Sequence, residues 1–155
     1  MSTQDITLQL AGQHDAALLA AMSRDLIEAG LGWRYRAESI GKLIEDAEMV
    51  TLVARSGEAL AGFGIMKIGD ERAHLILLAV RPEFQRRGIG QRIVHWLQES
   101  AAIAGVVSIH VELRAGNTAA YAFYRGLGFA ETLRLPGYYS GRETAIRMLR
   151  LLRVS

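Results

Sequence analysis

The chain contains no cysteine, which excludes disulfides, thiolate nucleophiles and cysteine-based zinc sites. Its four histidines are scattered without the spacing of metal ligands, so no metal is expected. The net charge is only +2, too small to favour nucleic acid as a partner of the whole surface. The longest apolar run, residues 75–80, is too short to span a bilayer, and the N-terminus lacks the apolar core of a signal peptide. We therefore expect a cytoplasmic protein without a membrane partner, either a monomer or a homodimer.

The 155 residues are half apolar, contain only two prolines and show no repeat, which indicates a single domain over residues 1–155. Short glycine-containing joints between apolar runs predict antiparallel hairpins, and a β-helix-β crossover predicts one parallel pair within the sheet. Helical spacing of apolar residues predicts helices at 13–29, 37–46, 90–104 and 117–125. Alternation and short apolar runs predict strands at 6–10, 49–55, 60–68, 73–80, 106–113, 129–135 and 144–152.

The stretch "RPEFQRRGIG" (81–90) combines arginines with glycines between a strand and a helix. The first N–H groups of a helix lack internal partners, and they lie at the positive end of its dipole, where a phosphate binds well. Gly88 and Gly90 allow close approach of the backbone, and Arg86 and Arg87 add charge. The pattern is neither a Walker A loop nor G-x-G-x-x-G. Taken alone, it is equally typical of a helix start with solvated arginines.

The spacing Gln85-Arg-Arg-Gly88-Ile-Gly90 resembles the acyl-CoA pyrophosphate loop of the GNAT superfamily of N-acetyltransferases. A second block, "NTAAYAFYRGLGF" (117–129), is similar to the next motif of that family, in the right order and spacing. The resemblance covers roughly residues 5–152 and is weakest over the first 50. It implies an α/β (α+β) fold with a mixed, mostly antiparallel sheet, a splayed parallel strand pair and helices on both faces. It also implies acetyl-CoA as co-substrate, without a metal.

The same resemblance assigns the donor contacts. The backbone of Leu78, Ala79 and Val80 is expected beside the pantetheine arm, with an N–H near Val80 bonded to the thioester oxygen. Asn117, Ala120 and Tyr124 are expected to complete the cofactor contacts, although Asn117 is also a good helix N-cap on its own. The pyrophosphate is expected at the loop and helix start, formed by Gln85, Arg86, Arg87, Gly88, Ile89, Gly90 and Gln91.

Tyr124 stands where the family commonly has a tyrosine that protonates the leaving thiolate, and a phenol with an ordinary pKa of about 10 is protonated at neutral pH. The alternative is that Tyr124 only packs in the core. Glu112 lies on the polar face of a predicted strand with His110, and it matches the glutamate proposed as base in ribosomal-protein N-terminal alanine acetyltransferases. The alternative for Glu112 is a surface salt bridge, for example with Arg114. His74 and His110 are weaker candidates for the base.

Two aromatic stretches are expected to line the acceptor side. Trp33 and Tyr35 lie in "GLGWRYR" (30–36) between the first two helices, and Tyr138 and Tyr139 lie between the last two strands. The latter stretch is similar to the peptide-contacting hairpin of N-terminal acetyltransferases, but it reads Gly-Arg-Glu-Thr-Ala (141–145) where that hairpin often has Gly-Glu-Asp-Ala. The alternative is that these aromatics close the rim of the core.

The implied reaction is direct attack of a primary amine on acetyl-CoA in a ternary complex. A peptide or protein amine, N-terminal or lysine, is the expected acceptor. An α-amine, with a pKa of about 8, is neutral at pH 7 far more often than a lysine amine, with a pKa of about 10.4. Two alternatives stay open: a small-molecule amine acetyltransferase acting on a polyamine, amino acid or antibiotic-like amine, and an acyl-CoA sensor without turnover.

Overall fold

The computed structural model describes residues 5–152 as seven strands and four α-helices, in the predicted order βααβββαβαββ. The strands are β1 (Ile6–Leu10), β2 (Met49–Ser56), β3 (Ala59–Ile68), β4 (Arg72–Val80), β5 (Ser108–Arg114), β6 (Ala130–Tyr139) and β7 (Glu143–Leu151). The α-helices are α1 (Ala16–Met22), α2 (Ala37–Glu45), α3 (Ile89–Ile103) and α4 (Thr118–Gly126).

All seven strands form one sheet in the order β1-β2-β3-β4-β5-β7-β6. Every neighbouring pair is antiparallel except β4 and β5, which are parallel and joined by the crossover helix α3. The predicted mixed, mostly antiparallel sheet is thus confirmed, including its single parallel pair.

Side chains alternate along each strand, so the sheet presents apolar side chains on both of its faces. Helices cover both faces. On one face, α1 and α2 pack Leu19 and Ile40 against Val53, Phe63 and Leu77. This side is called the α1/α2 face. On the opposite α3/α4 face, the buried side chains of α3 and α4 meet those of the sheet: Ile93, Leu97 and Tyr124 from the helices, and Leu52, Met66, Leu75, Val111 and Ile146 from the strands. The expected helices on both faces are therefore confirmed.

The parallel pair separates part of the way along its length. Its last paired residues are Leu75 and Val111, although β4 continues to Val80 and β5 to Arg114. The register between β3 and β4 shifts at the same level, so that Ile76 is an extra residue of β4. This bulge exchanges the faces of the following residues and leaves an open gap beside the end of β4.

Two predicted elements differ from those observed. The first helix, predicted as one piece over 13–29, consists of a 3₁₀ turn, α1 and a π-helical turn at Ser23–Ile27. The sixth strand, predicted to end at 135, continues to Tyr139 despite Pro136. β6 is an edge strand, where proline is tolerated, and its register is broken between Leu135 and Tyr139.

Candidate active site

The end of β4 presents unpaired backbone to the gap. Arg81 donates its N–H to the carbonyl of Ala61 on β3, and backbone groups alternate in direction along a strand. Leu78 and Val80 therefore direct their N–H and C=O groups into the gap, and Ala79 between them directs its own toward β3. Of the three residues predicted to lie beside the pantetheine arm, Leu78 and Val80 therefore direct backbone hydrogen-bonding groups into the gap, and Ala79 does not.

The loop after β4 turns sharply before α3 begins. The side-chain amide of Gln85 donates to the carbonyl oxygen of Val80 at 2.9 Å, which ties the loop to the gap. Arg86 has φ of 65° and Gly88 has φ of 76°, so the chain is left-handed at both positions. Arg87 is exposed, with its guanidinium 5.5 Å from the ring centroid of Phe84. The two predicted arginines are both solvent-facing, as an anion site requires.

The N-terminus of α3 follows directly. Gly88 is its N-cap and supplies no side-chain hydrogen bond, and the first intrahelical N–H is that of Arg92, bonded to Gly88. Ile89 anchors the helix start by burying its side chain, whereas Gln91 is exposed. A Cβ at Gly90 would lie 3.3 Å from the ring of Phe123, so a larger residue there would require that ring to shift by a few tenths of an ångström. The N–H groups of residues 89–91 therefore remain available to an anion.

The start of α4 is fixed by Asn117, whose side-chain oxygen accepts from the N–H of Ala120 at 3.0 Å. The predicted N-cap is confirmed. Asn117 is exposed, and Ala120 packs half-buried against the α3/α4 core. Their contact with the donor stays a prediction.

Tyr124 is almost fully buried on the α3/α4 face. Its ring meets those of Phe123 and Phe129 edge to face, at centroid distances of 5.2 and 5.3 Å. Burial raises the pKa of the phenol above its ordinary value of 10, so Tyr124 is protonated at neutral pH. The packing role is therefore present, and it leaves the phenol in the form that a proton donor needs.

Glu112 is the first residue of β5 beyond the last paired position, at the mouth of the gap. One carboxylate oxygen accepts from the hydroxyl of Tyr138 at 2.8 Å, and the other forms an ion pair with Arg147 of β7. The sequence-based suggestion of Arg114 as the ion-pair partner is wrong, because the antiparallel register places Arg147 beside Glu112. The hydrogen bond to Glu112 raises the pKa of the Tyr138 phenol.

His74 and His110 stack across the paired part of β4 and β5, with ring centroids 5.3 Å apart. Ser108 lies 3.0 Å from the Nε2 atom of His110. Burial lowers the pKa of both imidazoles, and nearby Arg72 and Arg147 act in the same direction, so both rings are neutral at pH 7. Because His74 and His110 belong to the paired part of β4 and β5, they lie outside the gap, whereas Glu112 lies beyond the last paired residues.

Tyr138 and Tyr139 lie at the end of β6, with ring centroids 5.1 Å apart. Burial raises the pKa of Tyr139 to about 12, and the charge of Glu112 acts in the same direction. The fold thus brings three predicted site residues together, since both tyrosines lie beside Glu112.

Trp33 and Tyr35 pack against the α1/α2 core, to which Ile76 of β4 also contributes. The indole N–H donates to the carbonyl of Tyr35 at 3.1 Å, and the guanidinium of Arg36 lies 4.6 Å from the indole centroid. Among residues 5–152, no hydrogen bond or ring contact joins this pair to Tyr138 and Tyr139.

The loop that carries these aromatics is held by Glu28, which sequence patterns did not single out. Its carboxylate is 7% exposed and accepts from the Ser23 hydroxyl at 2.7 Å, the Arg34 N–H at 2.6 Å and the Tyr35 N–H at 3.3 Å. The sequence carried no signal for this role, because the predicted helix over 13–29 includes Glu28 and its partners, up to seven residues away, depend on the loop conformation.

Two kinds of feature are not found within residues 5–152. No three histidine, aspartate or glutamate side chains are grouped so as to hold a metal ion. No helix there combines the length and the apolar character needed to cross a membrane.

Comparison with known proteins identifies the family. Residues 18–129 match the Acetyltransferase (GNAT) family, which is more than half of the chain. The chain is 39% identical to the N-alpha-acetyltransferase RimI of Mycobacterium tuberculosis, over 88% of this chain and 86% of that one. It is 37% identical to the [ribosomal protein bS18]-alanine N-acetyltransferase of Salmonella typhimurium, over 64% of this chain and 69% of that one.

A solved structure agrees with the sequence relatives. The crystal structure of the ribosomal-protein-S18-alanine N-acetyltransferase from Escherichia coli superimposes with a TM-score of 0.83 and 25% identity, covering 97% of this chain and 96% of that one. The predicted fold and the predicted enzyme class, an acyltransferase that uses acetyl-CoA, are both confirmed. The chain belongs to the acetyltransferase (GNAT) family.

Proposed function

We propose that the chain transfers the acetyl group of acetyl-CoA to the N-terminal α-amine of a peptide or protein, by direct attack within a ternary complex. The observation that carries this proposal is the gap beside Val80, which has an uncapped helix and a glycine loop on one side and the Glu112–Tyr138–Tyr139 cluster on the other. One relative is an N-alpha-acetyltransferase by name, and another is named as an alanine N-acetyltransferase of a ribosomal protein, which supports an α-amine as the acceptor.

On the donor side, the residues fit a CoA pyrophosphate. The N–H groups of residues 89–91 and the exposed guanidinium groups of Arg86 and Arg87 offer backbone and charge-assisted donors to it. Acetyl-CoA supplies the thioester carbonyl that the amine attacks. The gap-facing N–H of Val80 donates to the oxygen of that carbonyl and stabilises the negative charge that develops on it.

Two side chains handle the protons. Glu112 accepts a proton from the attacking amine, directly or through water, while its bonds to Tyr138 and Arg147 hold it in place. Tyr124 gives its phenolic proton to the departing sulfur as the C–S bond breaks. Burial keeps the phenol protonated until the sulfur departs, and after the transfer solvent water returns a proton to Tyr124 while Glu112 releases the proton that it accepted.

The acceptor is tested by thiol release with three amines: an alanine-initiated peptide, the same peptide with a blocked N-terminus and an internal lysine, and spermidine. We expect turnover with the free N-terminus and, for Tyr124→Phe, a kcat lower by about 10²-fold with little change in acetyl-CoA KM. Faster turnover of spermidine or of the lysine peptide would contradict the α-amine. Tight binding of acetyl-CoA without turnover of any amine would favour a sensor, and an unchanged kcat in Tyr124→Phe would remove it as the acid.

A further inference from the structure

Arg114, the last residue of β5, carries buried hydrogen-bond donors without acceptors. Its Nε and Nη2 atoms are buried and have no hydrogen-bond partner among residues 5–152. The nearest carboxylate oxygen, on Glu143, is 3.7 Å from Nε, within ion-pair distance but too long for a hydrogen bond. The side chain is 22% exposed, so the unpaired nitrogens are the part turned away from bulk water.

Such donors are expensive to leave unpaired. Buried polar groups in proteins almost always have a partner, and a guanidinium presents its N–H groups in a fixed plane suited to carbonyl or carboxylate oxygens. An exception beside a proposed active site therefore points to an acceptor oxygen that arrives with a ligand.

The position of Arg114 indicates that this ligand is the amine substrate and not acetyl-CoA. Ile109, Val111 and Leu113 of β5 are buried on the α3/α4 face, so Glu112 and Arg114 project together on the opposite, α1/α2 face. The phenol of Tyr139 and the carboxylate of Glu143 are the neighbouring groups from β6 and β7. The N-terminus of α3 belongs to the α3/α4 face, so the donor's pyrophosphate is on the other side of the sheet.

We propose that Arg114 binds the oxygen of the carbonyl group next to the reacting amine, so that the substrate class is an α-amino carbonyl compound. This inference rests on the proposed function and deepens it. Two strand residues on one face are separated by about 6.7 Å, and in an α-amino carbonyl compound the nitrogen and oxygen are about 3 Å apart. An amine held at Glu112 therefore brings its own carbonyl oxygen within reach of the Arg114 fork. A polyamine has no such oxygen and leaves Arg114 unpaired.

The test compares two acceptors in wild type and in Arg114→Gln: an alanine-initiated peptide, and its isostere in which a carbon–carbon double bond replaces the first amide. The two amines differ in intrinsic reactivity, and this difference contributes to the ratio of their kcat/KM values. The contribution is the same in both enzymes, so it cancels when the ratio in wild type is compared with the ratio in Arg114→Gln. We expect the preference for the peptide to fall by about 10- to 100-fold in Arg114→Gln, the usual size of a lost hydrogen bond to a charged group. An unchanged ratio overturns the proposal.

Two further variants separate recognition from folding. Arg134→Gln, which removes an exposed arginine of the β6–β7 hairpin, is the matched control and is expected to keep the wild-type ratio. Arg114→Lys keeps the charge if Arg114→Gln fails to fold, and since it lacks the planar fork we expect its ratio to fall at least about threefold. A wild-type ratio in Arg114→Lys would also overturn the proposal.

Free alanine distinguishes the two sources of this chemistry. Slower turnover of alanine than of the peptide supports a peptide N-terminus, and faster turnover supports an amino acid, with Arg114 on its carboxylate. Failure of the proposed function has a different signature. In that case wild type acetylates neither the peptide nor alanine, whereas failure of the Arg114 inference alone leaves peptide turnover intact with equal ratios in the two enzymes.

Discussion

Glu28 provides a test of how the loop that carries Trp33 and Tyr35 is held, because its buried carboxylate accepts the hydrogen bonds that organise this loop. Glu28→Ala removes the acceptor for the Ser23 hydroxyl and for the N–H groups of Arg34 and Tyr35. Glu28→Gln is the matched control. In this variant the amide oxygen still accepts from the loop N–H groups. The amide nitrogen donates to the Ser23 hydroxyl oxygen, whereas the wild-type carboxylate accepts from that hydroxyl.

The magnitude follows from the burial of these partners. A hydrogen bond to a charged group contributes about 1.5–3 kcal/mol, and a buried donor left unpaired costs about 1–3 kcal/mol. Ser23 is fully buried, whereas Arg34 is exposed and its N–H is able to recover water. We therefore expect Glu28→Ala to lower the free energy of unfolding by about 3 kcal/mol and Glu28→Gln by about 1 kcal/mol.

Urea denaturation measures these losses through the midpoint at constant slope. Steady-state kinetics then locates the effect. Because Glu28 holds the loop of Trp33 and Tyr35, a partly disordered loop lowers the population of the binding-competent state, and we expect the peptide KM of Glu28→Ala to rise about 3- to 10-fold. The acetyl-CoA KM is expected to stay unchanged. Equal losses of stability in the two variants, or a parallel rise of both KM values, would refute the reasoning.

Two further predictions concern carboxylates. Glu112→Gln is expected to lower kcat/KM about 10²-fold at pH 7, and the loss should shrink as pH rises and the amine deprotonates unaided; a pH–rate profile with a constant loss would leave Glu112 a structural role only. For Asp15, burial acts to raise the pKa, but the Gly12 amide and the Arg55 guanidinium outweigh it and hold the pKa below its ordinary value. Its stabilisation is thus present above about pH 4 and is lost as pH falls through the lower folded-state pKa. In urea titrations, Asp15→Asn should lower the free energy of unfolding by about 3 kcal/mol at pH 7 and by progressively less below pH 4. Asp25→Asn, at an exposed position, is the control and should change this free energy little. A loss for Asp15→Asn that does not depend on pH would contradict the linkage.

The elements of the fold were predictable because local periodicity determined them. The face assignment of β5 from "SIHVELR" is confirmed, since Ile109, Val111 and Leu113 are buried and Glu112 is not. The bulge at Ile76 was not predictable, because it lies within "LILLAV", where every residue is apolar and no alternation reveals a change of face. β6 was predicted too short because Pro136 usually ends a strand, and its edge position, which tolerates proline, follows from the whole sheet.

The candidate site divides in the same way. The motif residues of the loop and of α4 lie within short segments, so their spacing was informative. The ion-pair partners of Glu112 and Arg114 come from β7 and depend on a register between strands more than 25 residues apart, which no local pattern encodes. Arg147 and Glu143 were therefore missed as site residues, and Arg114 was assigned the wrong carboxylate.

The bulge at Ile76 connects the two halves of the proposed reaction. Before it, Ala73 and Leu75 pack on the α3/α4 face; after it, Leu77 and Ala79 pack on the α1/α2 face. Removing one residue there would exchange the faces of the end of β4 and turn Leu77 and Ala79 out of their core. The core therefore stabilises the same irregularity that opens the gap and turns the Val80 N–H toward it. Hydrophobic packing thus fixes the proposed donor position and the proposed acceptor face, and we propose that the arginines and carboxylates around the gap select the amine.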